Sequence, residues 1–188
     1  MATSSSAQSL RVPGRLVKDP TNLAAAFPYG GTELGLVRGL WIEPRPRYFE
    51  VTAEEYGGEP VELIELGWSV YVGTLFRAHD NDAVSAVWPN TATGSSSGDE
   101  VIEWPGTVRA GGKLASRSFK LLYVPRDVGN HPAALIYKAL PTLEVGMRMV
   151  DRITTEWRYP VEFLALRDTA LSSDNAIAVG KLEDLSLT

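Results

Sequence analysis

Residues 61–89 set the pattern of the chain: a long alternating stretch gives way to a short helical one that a proline stops. Leu66, Trp68, Val70 and Val72 fall on one side of a pleat, while Ser69, Tyr71 and Gly73 fall on the other, which is the two-residue period of a half-buried strand. Past His79, Asp80 is placed to cap a helix and Asp82 sits in its first turn, where a negative charge meets the helix dipole. Ala83, Val84, Val87 and Trp88 then recur at helical spacing before Pro89. The expectation is a helix over residues 80–88 packed on a sheet, with Trp68 and Trp88 on the buried sides.

Elsewhere the pattern is mostly that of strands. Residues 36–43 read as a core strand ended by Pro44 and Pro46, and residues 48–53 as a second that leads to a turn at Gly57-Gly58. Phe119, Leu121 and Tyr123 alternate up to Pro125, a turn at Gly129-Asn130 follows, and an apolar run fills residues 133–140. Residues 143–149 and 153–159 continue the extended character, Val161, Phe163 and Ala165 alternate in a last strand, and residues 101–104 form a short one. The Gly- and Ser-rich stretch 90–115 reads as an irregular loop.

The result is a mainly β chain of about eight strands: an antiparallel β-sandwich or partial barrel with one flanking short helix. Residues 32–168 form that core. Residues 1–31, broken by Pro13, Gly14, Pro20, Pro28, Gly30 and Gly31, form an extended N-terminal arm, and residues 169–188 a C-terminal arm or edge strand. The arms carry apolar anchors that need a surface to lie on: Leu10, Val12, Leu16, Phe27 and Tyr29 in the first, Leu182 and Leu185 in the second. A neighbouring copy is one such surface.

Composition narrows the choices. At 188 residues one core is expected, and zero cysteines exclude disulfides, thiolate metal sites and cysteine nucleophiles. Neither a signal peptide nor an apolar run of membrane-spanning length is evident. A net charge of −5 gives no long-range attraction for nucleic acid or anionic lipid. The acid is bunched: Glu54, Glu55, Glu59, Glu62 and Glu65 fall together without an intervening Lys or Arg. They are a solvated hairpin face or, if copies gather about one axis, a strongly negative surface that lines a lumen or stacks rings.

Catalytic and cofactor patterns fail one by one. Thr107 stands where a phosphate loop before Lys113 needs glycine, and residues 30–35 neither follow a strand nor open a helix as a dinucleotide fingerprint requires. His79 and His131, the two histidines, lack metal-ligand spacing, and Asp80-Asn81-Asp82 lacks the rest of a calcium loop. Gly94 to Gly98 spells a nucleophile elbow only inside a low-complexity stretch. No enzyme, cofactor or metal is expected. The five tryptophans suit core packing better than a sugar-binding platform, although a carbohydrate-binding β-sandwich is a reading they allow.

Taken in order, several segments resemble the tail tube proteins of tailed bacteriophages. They are the Pro-rich arm with Tyr29-Gly30-Gly31-Thr32-Glu33-Leu34-Gly35, the hairpin around Gly57-Gly58, the strand 66–76 with its helix, and the C-terminal Pro160-Val161-Glu162-Phe163-Leu164-Ala165-Leu166-Arg167-Asp168 with residues 176–180. The long irregular stretch 90–115 departs from that pattern. The resemblance implies a virion protein, assembled in the host cytoplasm, whose rings of six copies stack into a hollow tube. Its partners would be further copies, other tail and neck proteins, and a tape measure protein in the lumen; DNA would pass without specific binding, and no membrane would be involved. A tail terminator or neck ring protein is the alternative within the same architecture.

Overall fold

The structure is a computed structural model that describes residues 12–52, 59–77, 81–88, 92–96, 99–103, 114–142, 159–171 and 175–188. Among them run nine strands: β1 (Gly14–Lys18), β2 (Thr32–Thr52), β3 (Pro60–Phe76), β4 (Ala92–Ser96), β5 (Asp99–Glu103), β6 (Phe119–Pro125), β7 (Ala133–Thr142), β8 (Tyr159–Leu166) and β9 (Ile177–Gly180). A single α-helix, α1 (Asn81–Val87), follows β3 as the capped, proline-stopped pattern predicts. The chain is mainly β and antiparallel throughout, as its alternation requires.

Seven strands form one sheet in the order β6-β1-β2-β3-β8-β7-β9, and a further β6–β7 pairing closes six of them into a circuit. β7 makes this possible by dividing one edge between two partners: Ala133 to Ile136 pair with β9, and Lys138 to Thr142 pair with β8. Closure satisfies much of the backbone within one chain, while β2 past Val37 keeps an outer edge that β1 does not reach. Inside it lies the main core, built from inward positions such as Leu16, Val37, Leu40, Val72, Leu121, Tyr123, Ile136 and Phe163, with Phe119 and Phe163 edge to face. Ala83 and Val87 of α1 join this core, and Trp88 packs against it.

A second cluster lies on the outside of β1, β6 and β7, where Val17, Leu122, Val124, Leu135 and Tyr137 are covered by both ends of the chain. From the N-terminal side come Leu23, Phe27 and Tyr29; from the C-terminal side come Leu182, Leu185 and Leu187. The N-terminal loop is a wound turn, with the amides of Thr21 and Asn22 both donating to the Tyr29 carbonyl at 3.0 Å. The C-terminal tail is stitched down where Tyr137 Oη donates to the Ser186 carbonyl at 3.2 Å and Lys120 Nζ to the Leu187 carbonyl at 2.9 Å. Tyr123, buried in the barrel, donates its hydroxyl to the Val12 carbonyl, and burial pushes its pKa up to about 12.

Several expectations change. β1 is a strand paired on both sides, not part of a free arm; five residues between Pro13 and Pro20 are too short to show a period. β2 runs straight through Pro44 and Pro46, because β1 pairs with β2 only as far as Val37 and the missing amides fall on an open edge. Within the stretch read as a loop, β4 and β5 pair as a hairpin. The expected cap Asp80, the Gly57-Gly58 turn, Trp104, Trp157, residues 143–150 and most of 153–159 lie outside the described residues.

Candidate assembly surface

β2 and β3 are far longer than the barrel that holds them. β3 pairs with β8 only from Val70 onward, so residues 60–69 and their partners on β2 leave the barrel as a two-stranded ribbon. At about 3.4 Å per residue the ribbon reaches roughly 30 Å beyond the last barrel rung. Among the described residues both of its outer edges are unpaired, since neither β1 nor β8 extends along it. Together with β2 from just past Val37 and short β9, these are open edges of the main sheet among the described residues.

A bulge sets which side chains face where. The register shifts between Arg47 and Tyr48, so that Arg47 opposes Gly67 and Tyr48 opposes Glu65, and Gly67 at φ +125 supplies a backbone angle that a side chain would resist. Below the bulge Pro46 pairs with Trp68 and Pro44 with Val70, on the face that leads into the core. Above it, Tyr48, Leu63 and Glu65 continue that face while Phe49, Ile64, Val51 and Glu62 form the opposite one. Leu66 is thereby left without a partner, and Glu65 comes onto the side of Trp68 from which strict alternation would separate it.

Exposure is high on both faces. Tyr48, Phe49, Val61, Leu63, Ile64, Leu66 and Trp68 are each between 45% and 66% exposed. This overturns the core reading of Trp68, whose indole instead donates to the Glu65 carboxylate at the foot of the ribbon. The alternation was real; the strand carrying it had left the barrel. A half-buried strand shows water one polar face, whereas this ribbon shows it two mixed ones. Seven large apolar side chains in one projecting element form a patch that isolated soluble chains rarely leave open.

The predicted acidic residues divide. Glu59, Glu62 and Glu65 lie on this ribbon, with Glu50 added from β2, and the distal part carries no described Lys or Arg beyond Arg47; Glu54 and Glu55 lie outside the described residues. The predicted arm anchors divide as well. Leu16 is in the barrel core, Val12 contributes a carbonyl to Tyr123, and Phe27, Tyr29, Leu182 and Leu185 pack on their own sheet, while Leu10 is not described. The apolar surface of the described anchors is thus used within the chain, and nothing in that packing requires a neighbour.

Outside the ribbon, the barrel wall on β2, β3 and β8 exposes Trp41 and Glu43 beside half-buried Tyr71, Glu162 and Leu164. On β2, β3 and β8 the outward rows are Trp41, Gly73 and Glu162, then Glu43, Tyr71 and Leu164. The Trp41 ring lies flat on Gly73, so that a Cβ there would stand 2.0 Å from two ring carbons. Arg45 stacks 4.0 Å above the Tyr71 ring and holds Glu43 at 2.9 Å, which keeps the Glu43 carboxyl below its usual pKa through that hydrogen bond. Sequence reasoning missed Trp41 because its partner is set by strand register, not by local spacing.

Among the described residues no three metal-ligating side chains gather, and no helix is long and apolar enough to cross a membrane. His131 sits in the β6–β7 turn as expected, with Nδ1 buried and no described partner. No protein-family model and no curated protein sequence matches the chain. The class that the structure itself defines is a closed antiparallel barrel with a long apolar ribbon.

Proposed function

We propose that this chain is a structural virion protein that assembles from identical copies into rings of six, stacked as the tail tube of a bacteriophage, and serves there as a conduit for DNA. The ribbon carries the reading. A two-stranded ribbon standing alone in water is marginal, and one that is apolar on both faces gains by being covered on both. A further copy is the partner this suggests, because a tube built from one chain needs each copy to carry a projecting element that another can receive.

Magnitudes favour a many-copy assembly over a tight pair. Covering the remaining half of each of the seven exposed side chains is worth about 1 kcal/mol apiece, or about 7 kcal/mol per ribbon. Association itself costs about 4–15 kcal/mol, so one ribbon contact is weak and a ring in which each copy makes several contacts is what holds. The ribbon acids suit a conduit, since carboxylates near a passing duplex repel its phosphates and discourage sticking.

Electron microscopy of the purified protein, paired with a mass measurement over a range of concentrations, tests this. Long tubes of stacked rings support the reading, single rings favour a terminator or neck ring, and a monomer at high concentration refutes both. The variant F49S/I64S removes about 2 kcal/mol per contact and is expected to raise the assembly concentration about 30-fold.

A further inference from the structure

We propose that the hollow beside Trp41 receives the ribbon of a second copy of this chain, with Arg38 pairing a ribbon carboxylate. This rests on the ribbon being an assembly element and names the surface that accepts it. The hollow measures about 410 Å³ and is lined by Arg38, Gly39, Leu40, Trp41 and Leu75. It opens where the β2–β3 register shifts between Val37 and Leu40, so that β2 advances three residues while β3 advances two. Such a bulge bends the strand away from its partner and leaves a recess. The Gly39 carbonyl accepts the buried Thr74 hydroxyl, which fixes the recess in the wall.

Three observations choose the occupant. The first is charge. Arg15, Arg45, Lys138 and Lys181 each have a carboxylate within 4 Å, whereas exposed Arg38, like Arg47 and Arg126, has no such partner among the described residues, and of these three Arg38 is the one that lines the hollow. On the ribbon, Glu50, Glu59 and Glu62 likewise lack a described cation.

The second is pattern. Phe49 opposes Ile64 and Val51 opposes Glu62, so one ribbon face offers an apolar pair with a carboxylate one step along the same side. That is the complement of an indole wall with a guanidinium beside it. The third is coverage: the chain's own ends cover the outside of β1, β6 and β7, but not the wall around Trp41. A ribbon cannot fill its own hollow, because Phe49 stands eight residues along the same strand from Trp41, about 27 Å away. The contact therefore joins unlike surfaces of two copies, the type that propagates into rings or filaments.

Charge exchange tests the pairing. R38E and E62R are each expected to raise the concentration for half-assembly by about tenfold or more, and R38E/E62R to bring it back to within about threefold of the starting protein. Thermal unfolding at a concentration below assembly checks that these exposed changes leave the fold intact. A double variant no better than the single ones overturns the proposal. So does normal assembly by R38E and W41A in a protein that F49S/I64S prevents from assembling; the ribbon reading then stands and the receiving surface lies elsewhere. Normal assembly by all of these variants overturns both.

Discussion

Gly73→Ala is a small change with a large expected effect, because the Trp41 ring occupies the space a methyl group needs. The added Cβ would lie 2.0 Å from two carbons of the indole and 2.4 Å from its nitrogen, where ordinary contact begins near 3.4 Å. The ring must retreat by about 1.4 Å or rotate off the strand, and either movement gives up part of its stacking against the β3 backbone. Overpacking of this kind costs about 1–3 kcal/mol. Alanine has the better intrinsic strand preference, so a propensity argument predicts the opposite sign. Equilibrium urea unfolding of G73A, W41A and the double variant, below the assembly concentration, separates the two accounts. If the clash is the cause, G73A loses its cost once the indole is gone, and the cycle shows a coupling of about 1–3 kcal/mol. Additivity within about 0.5 kcal/mol would refute the reasoning.

Two further outcomes are expected. Asp168 accepts an ion pair from Lys138 at 2.9 Å and the Ala170 amide at 3.2 Å, and these partners hold its folded pKa below its usual 3.8. A lowered carboxylate pKa adds stability above the unfolded value that is lost as pH falls through the folded one, so D168N should flatten the loss of stability below about pH 4 in acid titrations followed by circular dichroism. Deleting residues 181–188 uncovers Val17, Leu122, Leu135 and Tyr137 and removes the bond to Tyr137 Oη; it should lower the stability of the unassembled chain by at least about 3 kcal/mol in the same urea assay, whereas an arm serving only a neighbour would leave that stability unchanged.

Much of the sheet was legible because its strands obey local rules. β6, β7 and β8 show their alternation or apolar runs plainly, and α1 follows from the helical spacing of Ala83, Val84 and Val87. What escaped depended on distant partners. Pro44 and Pro46 read as strand breakers until the open edge beside them is known, and nothing in the sequence around Gly67 signals the bulge that leaves Leu66 unpaired and brings Glu65 onto the face of Trp68. Trp68 illustrates the harder limit: alternation tells which residues share a face, but not whether anything stands opposite that face. The acidic run reads as a single face, yet Glu62 and Glu65 lie on opposite faces of the ribbon, and its apolar neighbours escape notice because Val61, Leu63 and Ile64 resemble a core strand equally well.

Where a closed barrel meets a long ribbon, the free energy of association has few places to come from. The barrel pairs much of its own edge, and its second apolar cluster is covered by its own ends. Exchange of tails would first break contacts that already exist, at a cost that any new contact must exceed. Covering the ribbon breaks no described contact of its exposed apolar side chains, and its outer edges are unpaired among the described residues. A weak contact made without prior loss, repeated around a ring, exceeds a strong one that must displace its equal; if the proposed ring forms, Tyr48, Phe49, Leu63 and Ile64 are therefore expected to drive it ahead of the described chain ends.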